Sequence, residues 1–385
     1  MLFLFIFSCA MDDEKNATDY KVVSSQIVVK NPGGMPSLCW AGNGDLLLAY
    51  TTNWQPIPPS GGTLKLMRSK DEGRSWSEPR IIVYPKTTDK WSVHIWSGMH
   101  LMPDSSLILT YGQNFSENLA EAYIIRSIDD GKTWGKPARV ADEEVDWDGE
   151  KIRPLFTEGF GNPVTTHFGE VLIPIGVRKG DKGWLSAKAA AFIRSTDIGK
   201  SWQKLEFIVT GDKKFSETTF VLAKNGDIIA NIRCDTDRRV LYQSISHDNG
   251  YTWEEVKKTI TVGDVRDYIL GKMPDMLTLS SGRILIGVGS VNVMDGSDVW
   301  SGGDGASYAG LYFSDNNGKT WHPDVLFTSA DPENLVPYDS PQLVQRKNGD
   351  ILALSIQMDR RGKDKSDSGW TGGSHYVINV IRSKE

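Results

Sequence analysis

An eight-residue pattern recurs five times along this chain of 385 residues. It reads SKDEGRSW at Ser69–Trp76, SIDDGKTW at Ser127–Trp134 and STDIGKSW at Ser195–Trp202. The fourth and fifth copies are SHDNGYTW at Ser246–Trp253 and SDNNGKTW at Ser314–Trp321, so the copies stand 51 to 68 residues apart. Sequence self-similarity at such a period marks a repeat architecture, in which each copy is one small unit packed against its neighbours.

Each letter has a physical reason. Asp or Asn at position three bonds backbone amides ahead of it and holds a tight turn. Gly at position five supplies positive φ without steric cost. Trp at position eight opens the next strand and covers the turn with a large apolar face. Strand-like segments such as Leu64–Met67, Ala122–Ile125 and Leu311–Phe313 precede the boxes, so each box is a hairpin between two outer strands. These Asp residues read as scaffold.

A looser repeat lies upstream of each box. Asn43, Gly44 and Asp45 precede an apolar run, as do Asn225, Gly226 and Asp227, and Asn348, Gly349 and Asp350. Asn-Gly between apolar runs is a strong hairpin signal. Gly282, Gly169 and Asp104–Ser106 occupy the same slot in other repeats, and Pro36, Pro274 and Pro341 mark where inner strands begin. Each repeat therefore reads as four strands, which is one propeller blade.

Six upstream motifs face only five boxes. The sixth repeat starts at Tyr338 and ends at Arg382–Lys384, matching Arg68–Lys70 of the first, where the chain stops. A segment at Gln26–Lys30 near the other end is expected to supply the missing outer strand, closing the ring without exposed edges. The expected fold is all-β, a six-bladed β-propeller of four-stranded antiparallel blades, over residues 20–385. The 38 glycines and 13 tryptophans suit such a fold.

Residues 1–19 read as a signal and tether. Leu2–Phe7 is continuously apolar and is followed by Ser8, Cys9 and Ala10, a lipoprotein-type arrangement with Cys9 as the lipidated residue. Asp12, Asp13 and Glu14 then resemble an acidic surface-export signal. The expectation is a periplasmic or cell-surface lipoprotein of a bacterium, monomeric and anchored through Cys9. Cys39 and Cys234 are placed on inner strands of opposite blades, too far apart to bridge. The net charge of −6 and the absence of a basic block exclude nucleic acid as a partner. His94, His100 and His167 show no metal-ligand spacing, and the sequence implies no cofactor.

The five boxes on a six-repeat plan resemble the sialidase (neuraminidase) superfamily over about residues 25–385. In that family three arginines hold the substrate carboxylate, a Glu activates a Tyr nucleophile and an Asp is the acid/base. The resemblance places Glu217 at the family Glu, Arg233 at the second clamp arginine and Tyr338 at the nucleophile. Gly34, Met35 and Pro36 stand where the family has Arg-Ile-Pro. Gly61–Leu64 has no acid/base Asp, and Ser307–Gly310 no third arginine. Each lost charge-assisted ligand is worth about 1.5–3 kcal/mol of carboxylate binding.

Inner-strand starts converge on a propeller axis. Further candidate acids there are Glu158, Asp275 and Asp339. Arg266, Asp267 and Lys272 come from blade five, and Trp54, Trp96, Trp184, Trp300 and Trp370 from long loops where they can stack on sugars. A glycosidase needs two carboxyls or a Tyr–carboxylate pair. The sequence thus points to an exported glycoside hydrolase acting on a terminal sugar, an acidic one among the options, with Lys272, Arg266 and Trp96 beside Arg233 in substrate binding. An exo-α-sialidase with a rebuilt clamp, a non-catalytic surface glycan-binding protein and a uronic-acid glycan lyase stand as alternatives.

Overall fold

The turn chemistry of the boxes is realised in a computed structural model. It describes residues 19–52, 62–84, 98–116, 119–180, 186–237, 240–261, 268–292, 307–359 and 374–384. In the first box Asp71 Oδ1 accepts the Ser75 amide at 2.8 Å, and Oδ2 the Ser75 hydroxyl at 2.5 Å. The opening Ser shares this work: Ser69 Oγ donates to Asp71 Oδ1 and accepts the Gly73 amide, each at 2.7 Å. Asn316 keeps the geometry of the fifth box by donating its own Nδ2 to Thr320 Oγ1 at 2.8 Å.

Two consecutive residues of each box, not one, adopt positive φ. Glu72 has φ 58° and Gly73 φ 85°, and the pair recurs as Ile198 at 61° and Gly199 at 73°. A β-branched residue is strained there, so the box must over-determine that conformation.

Six antiparallel sheets follow, one per repeat. Blade one comprises Pro36–Trp40, Leu46–Thr51, Leu64–Ser69 and Arg80–Val83. Blade two runs through Gly98–Leu101, Leu107–Ser116, Leu119–Ser127 and Ala138–Val140. In blade three the inner segments Leu155–Phe160 and Val164–Thr165 pair Val171–Arg178, then come Lys188–Ser195 and Glu206–Val209. Blade four is Phe215–Leu222, Ile228–Cys234, Val240–Ser246 and Lys257–Thr261, and blade five Tyr268–Thr278, Ile284–Asn292, Ser307–Ser314 and His322–Leu326. Blade six takes Leu335–Gln345, Ile351–Asp359 and Ser374–Ser383 from the C-terminal end. Its outer strand is Tyr20–Lys30, longer than the Gln26–Lys30 expected from sequence, paired from Tyr20↔Ser383 to Lys30↔His375. The ring closes through both ends of the chain.

The second strands explain the continuous apolar runs. Leu46 and Leu48 pack with Leu352 and Leu354 of blade six, whereas Leu47 and Ala49 pack with Leu107 and Leu109 of blade two. Both faces of each such strand are buried between neighbours, so alternation with polar residues is lost. Cys234 ends the second strand of blade four rather than lying on an inner strand, because the Asn225–Asp227 turn precedes it. Cys39 and Cys234 are both free thiols.

Side chains stitch each blade to the next box. Arg68 donates to the Asp130 carbonyl, Arg126 to Ile198 O at 2.8 Å and Arg194 to Asn249 O at 3.0 Å. Gln243 reaches Gly318 O at 2.9 Å, and Arg346 places Nε and Nη2 on Glu72 O at 3.0 and 2.6 Å. All five box turns are therefore held from the preceding blade.

Candidate active site

Among the described residues, the inner strands of blades three to six share a feature that those of blades one and two lack. Each breaks its pairing register near the start: between Phe156 and Phe160, Phe215 and Thr218, Lys272 and Asp275, and Pro337 and Gln342. Bulges of this kind re-aim side chains next to functional sites. Glu158, Glu217 and Tyr338 all lie within these irregular segments. Four separate stretches of sequence are thus brought to one rim of the ring.

The blade-four bulge is defined to its side chains. Phe215 pairs Cys234 and Thr218 pairs Ile232, so Ser216 and Glu217 together oppose the single residue Arg233. Glu217 Oε1 lies 2.7 Å from Arg233 Nη1, with the two side chains only 5% and 11% exposed. Buried charges of this sort persist only when paired. Arg233 Nη2 lies 3.2 Å from Asp235 Oδ1, and Lys188 of blade three reaches Asp235 Oδ2 at 2.6 Å. Ser216 Oγ donates to Asp235 Oδ1 at 3.4 Å. Arg178, fully buried, pairs Lys188 in register on the adjacent strand.

The result is a chain of alternating charge, Glu217–Arg233–Asp235–Lys188, running from the axis into the seam between two blades. A guanidinium held by two carboxylates is fixed in plane, which suits it to orient a substrate oxygen. Asp235 and Lys188 were not singled out from sequence. The signal for Lys188 was present: it opens a fully buried strand and is followed directly by Ala, Ala, Ala, Phe and Ile, where an unpaired ammonium is not tolerated.

Asp275 has a different setting. Its Oδ2 accepts the Leu343 amide of blade six at 2.6 Å, and the residue is 2% exposed. Ser37, at the same repeat position, accepts the Met99 amide of blade two at 2.9 Å. Burial pushes the Asp275 carboxyl up to about 8, against the pull of the amides of Leu343 and Met276. Asp275 thus carries a proton at neutral pH and joins two inner strands.

Tyr338, Asp339, Glu158 and Lys272 are placed by backbone alone, on the inner strands of blades six, three and five; their side chains lie outside the described residues. Arg266, Asp267, Trp96, Trp54, Trp184, Trp300, Trp370, His94 and Cys9 also lie outside them. The loop after blade two does not stay open: Val145–Trp147 and Glu150–Ile152 form a small hairpin. Trp147 is buried in it, 4.9 Å from the Phe207 ring. His100 is half-buried, its pKa lowered to about 4 by desolvation, with Nε2 3.4 Å from Thr165 Oγ1.

Residues 60–353 match the model of the BNR repeat-like domain. The chain belongs to that family. It is a sialidase-superfamily propeller, glycoside hydrolase-like in architecture. A curated relative, a sialidase of Bacteroides fragilis (strain YCH46), is 23% identical over 276 residues, or 61% of this chain; the match spans 47% of the relative's length. Among solved structures, a Hadza microbial sialidase superposes with TM-score 0.64 at 15% identity, covering 90% of this chain and 65% of its own. An α-L-arabinofuranosidase from Fusarium graminearum does so with TM-score 0.61 at 14% identity, covering 93% of this chain and 98% of its own.

Within this BNR propeller the first clamp position is closed. A Cβ on Gly34 would sit 1.8 Å from Thr51 Oγ1 and 2.9 Å from the Thr51 carbonyl. Thr51 fills the space that a longer side chain needs, so an arginine cannot be restored there without moving blade one.

Proposed function

We propose that this BNR propeller is an exported glycoside hydrolase that removes a terminal sugar from a glycan. The observation carrying the reading is the buried Glu217–Arg233 pair at a bulged inner strand, on the rim where the Tyr338 backbone also bulges. In this reading Glu217 takes the phenolic proton as Tyr338 attacks the anomeric carbon, and a second carboxyl gives its proton to the departing oxygen. Arg233, oriented by Asp235 and Lys188, binds a hydroxyl or anionic oxygen of the sugar. Asp339 and Glu158 supply the acid, and Asp275 acts as an inter-blade staple.

The closed Gly34 position weighs against an exo-α-sialidase with a rebuilt clamp, since a carboxylate-selective site would need further cations. The pairing of Arg233 with Glu217 and Asp235 in the resting site favours one other reading, a surface protein that binds glycans without turnover. Incubating the purified chain with host and plant glycans, followed by product analysis, separates these. Release of a terminal monosaccharide supports hydrolysis, release of sialic acid from a fluorogenic sialoside the sialidase reading, an unsaturated uronic product a lyase, and binding without product the glycan-binding protein.

Export rests on the reading of Cys9 as a lipidation site. The described ends of the chain meet in blade six at the end of the ring that carries the boxes of the other blades, where Lys384 donates its amide to Asp19 O at 2.9 Å. A lipid tether leaving Asp19 would turn the Glu217 rim of a monomer away from the membrane, toward extracellular glycans.

A further inference from the structure

We propose that the seam where blade six meets blade one holds a site for a tetrahedral oxyanion: sulfate or phosphate, free or esterified to a sugar. This site lies at the box end of the ring, opposite the Glu217 rim, and does not depend on the hydrolase reading.

The seam contains a pocket of about 280 Å³, lined among others by Gln26, Arg74, Arg346, Asn348, Asp350 and Arg382. Three guanidiniums from three parts of the chain converge on it. Arg346 is the decisive one. It is only 8% exposed, and its Nε and Nη2 are spent on a neutral acceptor, the Glu72 carbonyl. Among the described residues the nearby carboxylates are committed elsewhere. Asp350 is held bidentately by Arg382 at 2.7 and 2.8 Å and takes the Asn348 amide at 2.9 Å, and Glu72 lies 3.6 Å from Arg74.

Glu72 lies against Arg74 and Asp350 against Arg382, while Asp71 in the same turn is taken up by Ser69 and Ser75, which leaves Arg346 bonded to a neutral carbonyl. Burial first, then the field of Arg74 and, more weakly, that of Arg382, depress the proton affinity of Arg346. A bound anion relieves that strain. Guanidinium forks match tetrahedral oxyanions in geometry, and the pocket is large enough for a sulfate group with part of a sugar ring attached. Occupancy would join the N-terminal strand, the first box and the last blade, the three pieces that close the ring.

The test is thermal melting and calorimetric titration of the full chain with sodium sulfate, with galactose 6-sulfate, and with sodium chloride at matched ionic strength. Sulfate is expected to raise Tm with the logarithm of its concentration, by about 2 °C at ten times its Kd, and matched chloride is not. Arg74→Ala removes an exposed arm, leaves the Arg346–Glu72 contact in place and should weaken sulfate about tenfold while Tm without sulfate holds. Arg346→Lys keeps the charge, loses the fork and should weaken it as much. Tighter binding of galactose 6-sulfate than of sulfate identifies an esterified ligand, and the reverse a free ion. Equal responses to sulfate and chloride, or unchanged sulfate affinity in Arg74→Ala, would overturn the site.

Discussion

Asp275 and Leu343 join the inner strands of blades five and six through a 2.6 Å bond from the Leu343 amide to the carboxyl, as Ser37 and Met99 join blades one and two. A hydroxyl does in one seam what a buried acid does in another. Asp275→Ser should therefore keep the fold and any activity, whereas Asp275→Leu orphans a buried amide and should cost about 1–3 kcal/mol. Urea unfolding measures both. Loss of activity in a stably folded Asp275→Ser would instead assign Asp275 to the chemistry.

The same carboxyl makes stability depend on pH. Its folded pKa, about 8 through burial, lies above the unfolded value near 4. Its contribution is complete below the unfolded pKa and is lost as pH rises toward 8. Melting wild type and Asp275→Asn side by side from pH 4 to pH 8 should show the wild type losing ground steadily; parallel curves would contradict the buried protonated acid.

Arg194 anchors blade three to blade four. It meets Glu170 at 3.0 Å, Glu206 at 3.1 Å and the Asn249 carbonyl at 3.0 Å, and stacks 4.1 Å from the Tyr251 ring. Arg194→Leu leaves Glu170 without its buried cation and should destabilise by about 3–5 kcal/mol, read from the urea midpoint.

Asp235 lies 3.2 Å from Arg233 Nη2, and in the proposed reaction it positions that guanidinium. Asp235→Asn should lower kcat/KM about tenfold to a hundredfold, mainly through KM, with Asp235→Glu restoring part of it. A loss confined to melting temperature, with KM unchanged, would leave Asp235 a purely structural residue.

Lipidation is open to a direct assay. Expressed with its own N-terminus in a bacterium, the chain should incorporate labelled palmitate and fractionate with membranes, and Cys9→Ser should do neither. Label retained in Cys9→Ser would place the anchor elsewhere.

What could be read from sequence follows the range of each interaction. Boxes, Asn-Gly hairpins and blade number were legible because their hydrogen bonds close within eight residues, as Asp71 to Ser75 does. Glu217 and Arg233 were legible through family resemblance, and the bulge that makes two residues face one adds the reason they meet. Lys188 and Asp235 were missed because 47 residues and a blade boundary separate them. The Arg68, Arg126 and Arg194 clasps were missed for a similar reason: the Arg before each of the first three boxes is visible in sequence, but its acceptor is a backbone carbonyl in the next repeat. Chemistry shared between blades is set by how sheets pack around the axis, which local patterning does not encode.

The most direct measurement is turnover of a panel of terminal glycosides by wild type, Glu217→Gln and Tyr338→Phe, each checked for an unchanged melting temperature. The account predicts hydrolysis of at least one glycoside by the wild type and a loss of about 10²–10⁴-fold in Glu217→Gln, with Tyr338→Phe impaired at least as severely. Undiminished turnover in both variants, or saturable glycan binding by the wild type with no product, would contradict it.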